Sequence, residues 1–93
     1  IVSKEFIKEA FSQMEELKSI AETGDRVEIS RQAHKLKGSS AEVGGNRMQK
    51  IAFSLEQSAK GPESEISKDD LIEKVFLLEQ AFLDLKNEIE VNS

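Results

Sequence analysis

The sequence contains no cysteine, no tryptophan and no tyrosine, and its 93 residues include one proline. Its only histidine is His34. Without thiols there is no disulfide scaffold and no zinc site built on thiolates. A single imidazole also rules out a histidine-rich metal site. No apolar run approaches the ~18 residues that a membrane span needs. The opening Ile1-Val2-Ser3-Lys4-Glu5 has neither the basic start nor the apolar stretch of a secretory signal. Because the first residue is not Met, the chain is expected to be a domain cut from a longer protein. By default it is expected to be cytoplasmic and without membrane contact. Lys and Arg number 13 against 18 Asp and Glu, a net charge of −5. That balance argues against DNA or RNA as main partner, since counterion release needs clustered cations, although a local basic patch stays open. The length suits one domain, residues 1–93, with a compact core but no deep cavity under a separate lid.

What is present is helical spacing nearly throughout, broken at Gly24, at Gly44-Gly45 and at Gly61-Pro62. Four helices are predicted, at about 3–22, 25–43, 46–60 and 67–91. In the first, Phe6, Ile7, Ala10, Phe11, Met14, Leu17 and Ala21 recur at three- and four-residue steps and form one apolar stripe. The second begins at Asp25, which can cap the backbone while Glu28 reaches back, and ends at Gly44. The third opens at Asn46 with Gln49 three residues on, and presents Met48, Ile51, Ala52, Leu55 and Ala59. The fourth starts at Ser67 with Asp70 completing a capping box. Its seam is Leu71, Val75, Leu78, Phe82, Leu85 and Ile89. Ile72, Phe76 and Leu83 widen that seam to a second face, as expected of a helix touching two neighbours. The loop around Glu63-Ser64-Glu65 is expected to be the longest and most mobile. The fold class is all-α, an antiparallel up-and-down four-helix bundle.

A lone histidine is most often a surface residue or a satisfied core residue. On the helical wheel, however, Ile29, Leu36 and Val43 lie roughly opposite His34 and, with Ala33 and Ser40, make the natural core face. His34 therefore points outward, beside Val27, Ser30, Arg31, Lys37, Gly38 and Ala41. Gly38, one turn after His34, costs roughly 1 kcal/mol relative to Ala inside a helix, and opens a path to the imidazole. Lys37 is a neighbour on the same face. Its cation disfavours imidazolium and can attract an anionic group. Lysine alone there is an ordinary solvated residue; histidine, lysine and glycine together point to a reactive site.

The run Ala33-His34-Lys35-Leu36-Lys37-Gly38-Ser39-Ser40, followed by Val43-Gly44, resembles the signature of histidine-containing phosphotransfer (HPt) domains, the four-helix carriers of phosphorelays. Met48-Gln49-Lys50-Ile51-Ala52-Phe53-Ser54-Leu55-Glu56 is similar to the family's third helix. The motif likeness covers roughly residues 30–60, and the other helices agree only in pattern. The resemblance implies that His34 carries phosphate on Nε2, that Lys37 binds or balances the phosphoryl charge, and that Gly38 leaves room for the partner. It also implies that Glu56 holds the other ring nitrogen, as the matching Glu does in chemotaxis-kinase phosphotransfer domains. An ordinary exposed glutamate is the alternative. Ser39 and Ser40 point away from His34 and are expected to pack or to bond back to the preceding turn.

The resemblance further implies reversible transfer between His34 and the aspartate of a response-regulator receiver domain, with a hybrid histidine kinase as the other candidate partner. Nothing resembles a Gly-rich nucleotide loop, so the chain is expected to be a carrier rather than an enzyme. No cofactor of its own is expected; Mg²⁺ would sit on the receiver. Val27, Ala41 and Phe53 are candidate docking contacts, with packing against a neighbouring helix favoured for Phe53. A monomer is expected, since one histidine per bundle requires no dimer. Two other readings stay open: the phosphate-accepting N-terminal module of a chemotaxis-type kinase, and a helical adaptor in which His34 is incidental.

Overall fold

In a computed structural model, which describes residues 4–62 and 65–92, the chain forms α1 (Lys4–Thr23), α2 (Arg26–Glu42), α3 (Asn46–Lys60) and α4 (Lys68–Asn92). There is no strand among the described residues. The helix ends agree with the sequence expectation to within about a residue. The expected start at Ser3 and the loop positions Glu63 and Ser64 lie outside the described residues. Each end has a local cause. Gly24 and Gly44 adopt φ of 76° and 75°, the left-handed conformation that ends α1 and α2. Asp25 caps α2 by accepting from the Glu28 amide at 3.2 Å. Ser67 and Asp70 exchange the two bonds of a capping box at the start of α4. Two end details differ from expectation. Glu28 pairs with Arg31 instead of reaching back. The residue before α3 is Gly45, which offers no side-chain cap, and Asn46 is already helical.

Each helix packs on two others, α1 on α2 and α4, and α3 on α2 and α4, with no diagonal packing between described residues. This is the up-and-down four-helix bundle. Its core is Ala10, Met14, Leu17 and Ala21 from α1, Ile29, Ala33 and Leu36 from α2, Met48, Ala52, Leu55 and Ala59 from α3, and Leu71, Val75, Leu78, Ala81 and Phe82 from α4. Ser40 is buried with them, its hydroxyl donating to the Leu36 carbonyl at 2.6 Å, and Ser39 bonds back to Lys35. Both serines are thus structural, as their wheel positions suggested.

Two expectations about apolar faces fail and a third holds only in part. Phe11 is exposed although its spacing placed it in the α1 stripe. Ile72, Phe76 and Leu83 do not serve a second neighbour; they are exposed. Phe53 is half exposed, and its ring meets the neighbouring helix through the Lys37 ammonium, 5.2 Å from its centroid, rather than through the core. The reason is common to all three. In a square of four helices, one stripe centred on the bundle axis reaches both neighbours, so residues a quarter to a third of a turn off that centre are left outside.

Candidate functional site

His34 sits in the middle of α2 on its outer side, with 66% of its side chain exposed. Across the α2–α3 groove stands Glu56, whose side chain is only 4% exposed. The heptad-like run Met48, Ala52, Leu55, Ala59 fixes the inward face of α3, and Glu56 follows Leu55 on the flank turned toward α2. Its carboxylate is the hub of the site. Oε2 lies 2.9 Å from His34 Nδ1 and 3.2 Å from Lys60 Nζ. Oε1 accepts from Lys37 Nζ at 2.9 Å. A buried charge of this kind is tolerated only when it is paired and hydrogen-bonded.

Those partners decide its ionisation. The Lys37 ammonium, bonded to Oε1, does most to lower the Glu56 pKa from 4.5 to about 2; Lys60 and His34 add to it, while burial opposes them. An ionised carboxylate is an acceptor only. His34 Nδ1 must therefore carry the hydrogen of the shared bond, so that whenever the ring holds a single hydrogen the free lone pair is on Nε2. The arrangement is an outward imidazole, oriented from behind by a carboxylate, with two ammonium groups close by.

Of the four site residues expected from sequence, three converge: His34, Lys37 and Glu56. Lys37 is tied to Glu56 and lies 5.2 Å over the Phe53 ring, so it braces the carboxylate rather than standing free beside the imidazole. Gly38 has no side chain to join them, and a Cβ added there would meet nothing within 4 Å beyond its chain neighbours and its own helix. Phe53 and Val27 are exposed on this same face. Lys60 was not anticipated, although Glu56 and Lys60 have the i,i+4 spacing of a helix ion pair. Nor was Arg26, whose guanidinium donates to the carbonyls of Ser58, Gly61 and Ile66 and so holds the end of α3 that carries Lys60.

The Hpt domain family model matches residues 2–90, nearly the whole chain. The chain belongs to the Hpt domain family. No curated protein and no solved structure matches it significantly. Hpt domains are phosphotransfer carriers of two-component phosphorelays, acting between kinases and response-regulator receiver domains.

Charge in this Hpt domain is divided between its two halves. Arg26, Arg31, Lys35, Lys37, Arg47, Lys50 and Lys60 outnumber Glu28, Glu42 and Glu56 on α2 and α3. On α1 and α4 the acidic side chains outnumber the basic ones. The α2–α3 half that carries His34 is thus net cationic in a protein whose net charge is −5, which favours the approach of an anionic group.

Proposed function

We propose that His34 Nε2 is the phosphoryl-carrying atom and that it exchanges the group with the aspartate of a response-regulator receiver domain. One observation carries this reading above the others: the buried, ionised Glu56 accepts from Nδ1, leaving Nε2 free on the exposed side. In the transfer, the Nε2 lone pair attacks phosphorus and the P–O bond to the aspartyl carboxylate breaks. The bonding pair leaves with that oxygen. The ring, now bearing hydrogen on Nδ1 and phosphorus on Nε2, is formally cationic, and Glu56 beside it stabilises the charge as it develops. Lys37 and Lys60 offset the added phosphoryl charge, as point charges on flexible stems. Gly38 gives the partner's active site room to approach. Mg²⁺ belongs to the receiver, which supplies the rest of the electrostatic stabilisation. The return step runs the same bonds in reverse.

The test is incubation with a panel of receivers charged by acetyl phosphate in Mg²⁺, followed by intact-mass measurement. Addition of one acid-labile phosphoryl group, lost in His34→Gln, is the expected result. Equal addition to His34→Gln, or none from any receiver, defeats the proposal.

A further inference from the structure

The α1–α4 side of the bundle carries an apolar surface that the phosphotransfer site does not use. Five of the large exposed hydrophobic residues, Phe11, Ile72, Phe76, Leu77 and Leu83, lie on these two helices, and Phe76 is 57% exposed. Ile72, Phe76 and Leu83 are spaced to share one face of α4, at positions i, i+4 and i+11. Beneath Ile72 and Phe76 runs a groove between the C-terminal half of α1 and the N-terminal half of α4, floored by Ala21 and Val75. Its rim is acidic. Glu22 and Glu79 line it, and a single cation, Lys18, is shared between Glu79 at 2.9 Å and Glu15 at 3.2 Å. Of the two acids lining it, Glu22 has no ion-pair partner among the described residues, and neither have Asp69 and Glu73, which stand elsewhere on the N-terminal half of α4. Apolar floor and a rim with more acid than base together specify what fits.

We propose that this groove docks an amphipathic helix of a partner protein, one whose apolar stripe is flanked by lysine or arginine. A furrow between two antiparallel helices takes the ridge of a third helix at its apolar positions. The rim selects the flanking charge. The same charge argues against other occupants: nucleic acid and anionic membrane are repelled, and a two-fold dimer would set one acidic face against its copy. Because α1 and α4 form the edge opposite α2 and α3, a helix held here leaves His34 uncovered. A partner could then tether the domain while His34 is charged and discharged, a role that rests on the carrier reading above, whereas the docking itself does not.

The experiment is an amide chemical-shift titration of the ¹⁵N-labelled protein. The probe is a synthetic helical peptide with a leucine stripe flanked by lysines, compared with a glutamate-flanked counterpart. Saturable shifts at Ala21, Glu22, Ile72 and Phe76, with none at His34, are expected. Phe76→Ser should weaken binding about tenfold or more, as loss of an aromatic anchor does, with an unchanged circular dichroism spectrum because Phe76 is not in the core. His34→Gln should bind like wild type, which separates this result from any failure of phosphotransfer. Shifts spread over α2 and α3, equal binding by Phe76→Ser, or equal binding of the glutamate peptide overturns the proposal. So does a sedimenting dimer that Phe76→Ser dissolves, since a second copy would then be the occupant.

Discussion

At the scale of single residues, Gly38 and Glu56 separate stability from function in opposite ways. An added methyl at Gly38 has nothing within 4 Å to strike, and the position is helical. Gly38→Ala should therefore raise stability by about 0.5–1 kcal/mol in urea denaturation. The same methyl stands one turn from His34, on the side from which a receiver would approach under the proposed function, so transfer should slow several-fold. A stabilised variant with wild-type transfer would show that the gap serves no partner. Glu56 behaves as an acid-labile post. Its pKa in the folded chain is about 2 against an ordinary 4.5, so folding favours the ionised form. Its contribution to stability is complete above about pH 4.5 and is lost as pH falls toward 2. Denaturation midpoints measured from pH 6 down to 2.5 should drop more steeply for wild type than for Glu56→Gln, which has no such proton to take up. Gly38 was legible in sequence, because glycine inside a helix is conspicuous. The burial of Glu56 was not, because wheel geometry alone does not tell which flank of α3 meets α2.

At the scale of elements, helix ends explain most of what patterning could foresee. Asp25 and the Ser67–Asp70 pair act through neighbours three residues away, so their chemistry is written in local sequence. The end of α3 is secured differently. The terminal carbonyls of a helix lack partners within it, and here Arg26, from the first turn of α2, takes those of Ser58 and Gly61 together with that of Ile66. Arg26→Ala should cost about 2 kcal/mol, the scale of charge-assisted hydrogen bonds, measured as a shift of the urea midpoint at constant slope. Arg26→Lys should recover little of it, since an ammonium cannot span three carbonyls as a guanidinium fork does. Bonds separated by 32 to 40 residues leave no local trace, which is why this clamp escaped the sequence.

At the scale of the whole molecule, the square arrangement gives the bundle two edges of different chemistry. The α2–α3 edge gathers the cations and His34, and the α1–α4 edge gathers the acids and the exposed apolar side chains. One core holds both edges in place. Leu55 is fully buried in it, immediately before Glu56. Leu55→Ala should cost about 2–5 kcal/mol by the cavity it leaves, a large part of the roughly 5–15 kcal/mol that holds a domain folded. Thermal or urea unfolding followed at both edges should shift together, since the loss is to the shared core. Separate transitions for the two edges would contradict a single cooperative core.

Sequence by itself determined the four helices, their ends, the core positions at the centre of each stripe and the outward direction of His34. All of these follow from periodicity and from contacts within one or two turns. It also offered the histidine–lysine–glycine constellation and, through family resemblance, the pairing with Glu56. Tertiary structure decided the remainder. It buried the Glu56 carboxylate, joined Lys37 and Lys60 through it, and turned Lys37 from a free neighbour of the imidazole into a brace. It also left Phe11, Ile72, Phe76 and Leu83 exposed, off the packed faces that spacing had assigned them, and gave Phe53 its neighbouring-helix contact through Lys37 alone. The physical reason is the same throughout. Which flank of a helix is covered depends on where its two neighbours stand, and that placement is set only when all four stripes close on one axis. His34 is outward because of α2 alone; its Nδ1 has a carboxylate partner because α3 stands beside it.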